Sequence, residues 1–172
     1  MLAVGACGSN RTSTGATATA AGTVAAVVPQ GFGSIAVTIT QPDGTICRRC
    51  MLLADTEAQR ARGLMGVTSL GGYDGMVFRY DTPVHTAFWM KDTVTPLQIA
   101  FFDPTGRYLR QFDMPPCTHD PCATYGPTEK FTVAIETFTG AMTTVGIIPA
   151  STIALGAPCP LGGTNPLGGT TP

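Results

Sequence analysis

Apolar and polar residues alternate over short stretches along much of the chain. Ile35, Val37 and Ile39 are separated by small or polar residues, and this period of two predicts a strand with one buried face over 34–40. Proline and glycine at turn positions in 41–44 and 103–106 predict hairpins. The same reasoning predicts further strands at 45–53, 75–80, 84–90, 97–102, 107–114, 131–136 and 151–155.

Helical signals are limited to two stretches. Thr56 with Gln59 three residues later has the form of a capping box, in which each side chain satisfies a backbone donor at the helix start. Gly63 is suited to end that helix, and a second short helix is predicted within 137–145. Many short strands with one or two short helices predict a compact α+β fold, with a largely antiparallel β-sheet curled toward a barrel.

The ends of the chain differ in composition from its middle. Residues 8–30 are mostly Thr, Ala, Gly, Ser and Val with one charge at Arg11, so we expect a disordered tether. Residues 157–172 are rich in Gly and Pro and are expected to form a tail. The remaining segment, 31–156, has the length of one domain.

The charge and hydropathy of the chain argue against nucleic acid as a partner and against a membrane-spanning helix. Charged residues are 12% of the chain, about half the usual share, and the net charge is −1. A basic surface of the kind that neutralises phosphates is therefore absent, and nucleic acid is not an expected partner. No apolar run in the sequence is long enough to span a bilayer as a helix.

Six cysteines favour an oxidising compartment. Cys117 and Cys122 lie in a proline-rich loop that can bring them within disulfide range; a metal site in this loop is the alternative, but four ligands at a recognised spacing are missing. Cys47 and Cys50 have redox-motif spacing, yet residues three apart in a strand are roughly 10 Å apart. Either the chain turns there or each has another partner, and Cys159 is a candidate for one of them.

The first seven residues end in Val4-Gly5-Ala6-Cys7, which resembles a bacterial lipobox. We expect 1–7 to be a truncated signal segment and Cys7 to be the lipidation site, so that lipid provides the contact with the membrane. The expected location is outside the cytoplasm, anchored on the outer face of the cytoplasmic membrane or in the cell envelope. A chance run of small residues before a cysteine is the alternative interpretation.

Several motifs in a fixed order carry a family resemblance. They are Arg60-Ala61-Arg62-Gly63-Leu64-Met65, Gly75-Met76-Val77-Phe78, Phe88-Trp89-Met90-Lys91-Asp92-Thr93 with Pro96-Leu97, Asp103 to Gly106, and Met114-Pro115-Pro116-Cys117 through Cys122 and Tyr125. Over roughly 45–155 the chain resembles the bacterial and archaeal family called domain of unknown function 192. Asp92 stands where that family usually has asparagine, and Gln98 where aspartate is common. The resemblance implies a small mixed sheet and a shared surface around the tryptophan, and it assigns no catalytic role.

The polar residues behind the aromatic run at 88–90 predict a binding cleft, because polar groups orient a ligand while an apolar wall desolvates it. The candidate ligand-binding residues are Arg60, Trp89, Lys91, Asp92, Thr93, His119 and Glu136. We expect a monomeric, non-enzymatic domain without a cofactor that binds a small molecule or an envelope protein. One alternative is a hydrolase that uses His119, Asp92 and Glu136, with or without a metal, and another is redox or metal handling by Cys47 and Cys50 with the methionines.

Overall fold

A computed structural model describes Cys7, Val27 and residues 29–159. Its strands are β1 (Gly33–Thr40), β2 (Ile46–Ala54), β3 (Met76–Val84), β4 (Phe88–Trp89), β5 (Leu97–Phe102), β6 (Tyr108–Met114), β7 (Thr124–Tyr125), β8 (Phe131–Phe138) and β9 (Thr152–Leu155). The helices are α1 (Glu57–Arg62) and α2 (Met142–Val145). Short strands with two short helices confirm the broad α+β prediction.

Seven strands form one mixed sheet in the order β6-β5-β8-β3-β2-β1-β9. Neighbouring strands are antiparallel except for β2 and β3, which are parallel. A parallel pair needs a crossover connection, and residues 55–75, which include α1, supply it. This crossover lays α1 over one face of the sheet and so creates one wall of the site described below.

The sheet does not close into a barrel, which corrects that part of the prediction. The edge strands approach each other only where Arg107, just before β6, forms an isolated bridge with Thr152 in β9. Hydrogen bonds from the Tyr108 amide to the Ser151 carbonyl and from the Ile153 amide to the Gly106 carbonyl accompany that bridge. The sheet curves enough for its edges to touch at one end, but no ladder joins them.

Each face of the sheet carries its own apolar cluster. The first contains Val37, Met51 and Ile135, all fully buried. The second contains Phe78 and Phe101, also fully buried, and lies on the face that α1 covers. Alternation along each strand sends consecutive side chains to opposite faces, so two cores form from one sheet.

Several predicted elements have different bounds in the structure. The predicted strand at 84–90 is wrong, because β3 continues to Val84 while the two-residue β4 pairs with β7, which was not predicted. The second helix begins only at Met142, since β8 extends through Phe138. The capping box of Thr56 and Gln59 is confirmed, and Gly63 ends α1 at a positive φ of 47°.

Contacts with the domain begin before the predicted boundary at residue 31. The carbonyl of Val27 accepts bonds from the Thr68 and Ser69 amides, and the carbonyl of Gln30 accepts one from Arg62. The end of the predicted tether therefore contacts the domain, and the tether itself stays a prediction. The remainder of that tether and most of the predicted tail, residues 160–172, lie outside the described residues.

All six cysteines are paired, as Cys7–Cys47, Cys50–Cys159 and Cys117–Cys122. The loop disulfide is therefore confirmed, and Cys159 is the partner of Cys50. Cys47 is buried in the first cluster, whereas Cys50 points to the opposite face of β2. The two cysteines thus belong to different bridges and do not form a redox pair.

The pairing of Cys7 bears on the predicted lipid anchor. A lipid would be attached through a thioether at the Cys7 sulfur, and that sulfur is bonded to Cys47 in this structure. The two modifications exclude each other on one molecule. Lipidation at Cys7 stays a prediction for a chain in which Cys47 is not its partner.

Three disulfides indicate an oxidising environment. With 6 and 4 residues, neither helix found in the described part of the chain has the length for a membrane crossing.

Candidate functional site

A cavity of about 350 Å³ lies between α1 and the face of the sheet that carries the second cluster. Its volume is at the lower end of the range typical of small-molecule sites, about 300–1,000 Å³. The cavity is lined by Glu57, Arg60, Ala61, Arg62, Gly63, Leu64, Met65, Phe78, Tyr80, Val84, Thr86, Ala87, Phe88, Trp89, Thr93 and Glu136. Four of the seven predicted ligand-binding residues are in this set: Arg60, Trp89, Thr93 and Glu136.

Glu136 is a carboxyl group in an apolar face of the sheet. It lies on β8, where its register partners are Met76 on β3 and Ile99 on β5, both fully buried. Glu136 itself is 4% exposed and forms no salt bridge with the described residues. Burial without a compensating cation raises the pKa of Glu136 to about 8, so the group is mostly protonated at neutral pH.

Arg60 is held at the cavity wall by backbone oxygens instead of carboxylates. Its Nη1 donates to the carbonyls of Asp55 at 2.6 Å and Arg79 at 2.9 Å. The Asp55 carboxylate is occupied by Arg79, which binds it through two nitrogens at 2.9 and 2.6 Å. The charge of Arg60 is therefore not neutralised by an acidic side chain of the described structure.

Tyr80 lies near both of these groups. The Arg60 guanidinium is stacked over its ring, 4.7 Å from the centroid. Burial raises the pKa of the Tyr80 phenol, and nearby Glu136 adds to this rise while Arg60 opposes it. The phenol remains protonated at neutral pH and can donate a hydrogen bond within the cavity.

Trp89 forms the outer edge of the cavity. It is 51% exposed, whereas its neighbour Phe88 packs edge-on against Phe78 with ring centroids 4.9 Å apart. The Lys91 ammonium lies 5.9 Å from the Trp89 ring centroid and forms a salt bridge of 3.2 Å with Asp120. This bridge connects the tryptophan edge to the loop closed by the Cys117–Cys122 disulfide.

The turn after Trp89 explains the residue preference at position 92. Asp92 has a φ of +54°, in the left-handed region that aspartate and asparagine tolerate better than most residues. Its carbonyl accepts a bond from the Gly66 amide, and its exposed side chain does not line the cavity. Thr93, in contrast, is buried and reaches the cavity, while its hydroxyl donates to the Lys91 carbonyl at 3.2 Å.

His119 does not share a cavity with Glu136, one of the acidic groups that the hydrolase alternative requires. It is exposed in the disulfide loop, lines a smaller depression of about 210 Å³, and has the Thr118 hydroxyl as its ring partner at 2.9 Å. Glu136 belongs to the other cavity. Asp120 lies near the sulfurs of Cys117 and Cys122, but both sulfurs are bonded in the disulfide, which removes the thiolates a metal would need.

Sequence reasoning missed Tyr80 as a member of this site. The available signal was the alternation in 76–80, which places Phe78 and Tyr80 on the same face of one strand. A tyrosine at the polar end of such a strand is suited to line a cavity, because its ring packs while its hydroxyl reaches out.

The family model described as "Uncharacterized ACR", that of domain of unknown function 192 (DUF192), matches residues 38–155. The chain belongs to this family. The matched range begins within β1 and ends with β9, so the DUF192 domain contains both the seven-stranded sheet and the cavity. No curated protein matches the chain.

Two solved structures are similar to this DUF192 chain. A protein of unknown function from Novosphingobium aromaticivorans DSM 12444 is 30% identical, with a TM-score of 0.62 and coverage of 81% of this chain and 99% of that one. A protein from Sinorhizobium meliloti 1021 described as a "putative transcription regulator" is 21% identical, with a TM-score of 0.65 and coverage of 74% and 97%. The second likeness concerns the fold alone.

Proposed function

We propose that this DUF192 domain is a non-enzymatic binding protein of the cell envelope and that its ligand is a small molecule held between α1 and the sheet. The observation that carries the proposal is Glu136, a buried carboxyl group that lines a cavity without a charged partner in the described structure. Burying such a group is costly unless it gains a partner. A strongly shifted pKa in a concave site is also more frequent at functional sites than elsewhere.

The walls of the cavity support a small-molecule occupant. Apolar and aromatic side chains form about half of its lining, and polar or charged side chains form the rest. In a small-ligand site the apolar walls supply affinity, while the polar groups fix the orientation of the ligand. Nothing in this arrangement resembles a nucleophile with a base held beside it, which favours binding over catalysis.

Envelope localisation is part of the same proposal. The three disulfides support an exported protein, and the Cys7–Cys47 bridge joins the N-terminal cysteine to the domain itself. Peptide mapping without reduction, on protein from the native envelope fraction, tests this part. We expect a Cys7–Cys47 cross-linked peptide; a diacylglyceryl mass on Cys7 would instead establish the lipid anchor.

Two alanines on α1 provide a test of the cavity itself. Ala61 lines the cavity and Ala58 does not, although both are exposed on the same helix. Ala61→Phe should fill the cavity, and Ala58→Phe is the matched control with the same change in size and helix propensity. Binding of benzoate, benzamide and benzamidine can be followed through backbone amide shifts and the fluorescence of Trp89, the single tryptophan of the chain.

We expect at least one of these probes to shift amides near Tyr80, Trp89 and Glu136 in the parent protein and in Ala58→Phe, but not in Ala61→Phe. If no probe perturbs these residues, or if Ala61→Phe binds as well as its control, the proposed site is wrong.

A further inference from the structure

The charged groups inside the cavity give it a net positive charge at neutral pH. Of the four ionisable acidic and basic residues that line it, Glu57 and Arg62 are exposed on α1. Arg62 is further directed toward the N-terminal segment, where it donates to the Gln30 carbonyl and lies over Phe32 at 5.5 Å. The inner charged groups are Arg60 and Glu136, and only Arg60 carries its charge at neutral pH, because burial keeps Glu136 protonated.

Arg60 also has unused hydrogen-bond donors. Its Nη1 supplies both bonds to the backbone carbonyls of Asp55 and Arg79, which fixes the position of the guanidinium. Neither Nε nor Nη2 bonds another residue of the described structure, although a guanidinium has five donors in all. Two such nitrogens on one edge match the two oxygens of a carboxylate.

The other hydrogen-bond donors of the cavity also favour a carboxylate ligand. A protonated Glu136 has one O–H donor, and the Tyr80 phenol has another. Together with Arg60 they offer donors and a positive charge, whereas an ionised Glu136 would be the only anionic group inside. Phe78, Phe88 and Trp89 supply an apolar wall for the body of the ligand.

We propose that the ligand is a small carboxylic acid with an apolar or aromatic body, bound as its carboxylate by Arg60 and Glu136. This inference rests on the proposed function, since it names the class of molecule that the same cavity takes. A ligand carboxylate would be neutralised by Arg60 and would accept the Glu136 proton in a charge-assisted hydrogen bond. A cationic ligand would face Arg60 and would require Glu136 to lose its proton.

The two charge types predict opposite responses to pH. The titratable groups that share the cavity with Glu136 are Arg60 and Tyr80, with Glu57 and Arg62 at the opening, and the adjoining positions on β3 and β5 are Met76 and Ile99. Carboxylate binding uses the protonated form of Glu136, so it should weaken as pH rises through about 8. With that pKa, affinity should fall about tenfold between pH 6 and pH 9. Binding of a cation should strengthen over the same interval.

Benzoate, benzamide and benzamidine form a matched set of probes, since they share a planar aromatic body and differ in charge. We expect benzoate to bind more tightly than benzamide at pH 6, by threefold or more, and benzamidine to bind most weakly. Arg60→Gln should reduce benzoate affinity more than benzamide affinity. Glu136→Gln keeps a neutral donor in place and cannot ionise, so benzoate binding should persist and lose its dependence on pH between 6 and 9.

Tighter binding of benzamidine, or a gain in benzoate affinity from pH 6 to pH 9, would overturn the carboxylate proposal and leave the binding site standing. Equal loss of all three probes in Arg60→Gln would also overturn it, because the arginine would then shape the cavity without selecting charge. Failure of all three probes to bind the parent protein contradicts the proposed function itself. The two proposals can therefore fail separately.

Discussion

The two faces of the interior strand β8 are packed differently. Ile135 points to one face, where it is fully buried among aliphatic side chains and the buried Cys47. Glu136, the next residue, points to the other face, where a cavity separates the sheet from α1. The first face is filled and stabilises the fold, whereas the second leaves space and contains an acid that destabilises it when ionised. One residue step along the strand therefore separates a filled apolar face from a face that borders a cavity.

The largest expected effect is on the filled face. Ile135→Ala removes a fully buried side chain and leaves a cavity, which should lower the free energy of unfolding by roughly 2–5 kcal/mol. Chemical denaturation at pH 5 and pH 8 checks this, and the loss should be similar at both values because no charge is involved. A loss confined to one pH would show that the two faces are coupled.

Glu136→Gln should stabilise the protein at neutral pH, whereas Ile135→Ala should destabilise it. The pKa of Glu136 is raised from 4.5 to about 8 on folding, so its protonated form is favoured in the native state. Stability is fully retained below the unfolded value and declines as pH rises from 4.5 through 8, since only the unfolded chain releases the proton there. Glu136→Gln should therefore raise the free energy of unfolding by about 3 kcal/mol at pH 7.

The pH dependence provides the control for this variant. At pH 4 the parent carboxyl is protonated in both states, and the difference between parent and Glu136→Gln should nearly vanish. A gain of the same size at pH 4 and pH 7 would mean that packing, and not ionisation, explains the effect.

The smallest expected effect concerns the ion pair between Arg79 and Asp55. It tests whether this pair, or only the backbone carbonyls of the same residues, positions Arg60. Arg79→Lys removes the two-point contact with Asp55, but both side chains are more than a third exposed, so the loss should be under about 1 kcal/mol. The carbonyls of Asp55 and Arg79 that hold Arg60 are retained. Benzoate affinity should accordingly stay within about twofold of the parent. A larger loss in a titration would show that the ion pair positions Arg60.

Local patterns were sufficient for most of the fold. Alternation identified the first strand from Ile35, Val37 and Ile39, and the capping box of Thr56 and Gln59 located the helix start, because both signals are encoded by neighbouring residues. Closure of the sheet and the pairing of β4 with β7 were not predicted correctly. Those features depend on contacts between residues far apart in sequence, and a two-residue strand is too short to show a period.

The candidate site was predictable in part for the same reason. Trp89 and Thr93 stand out in one motif, and Glu136 is conspicuous as an acid at the end of an apolar strand. Tyr80 and the separation of His119 from Glu136 follow from how β3, β8 and the disulfide loop are arranged in space. The spacing of residues along the chain does not predict that arrangement. Asp92 was assigned to the ligand by its charge, while the structure shows a backbone reason for it in its positive φ.

The disulfides that meet on β2 have a mechanical consequence. Cys7 is bonded to Cys47 and Cys159 to Cys50, so a pulling force applied at these two outer cysteines enters and leaves the domain within one four-residue segment. The load passes along 47–50 and two covalent bridges, and the other strands carry none of it. While both bridges are intact, tension on the ends of the chain cannot extend the sheet, so the cavity keeps its shape under mechanical load.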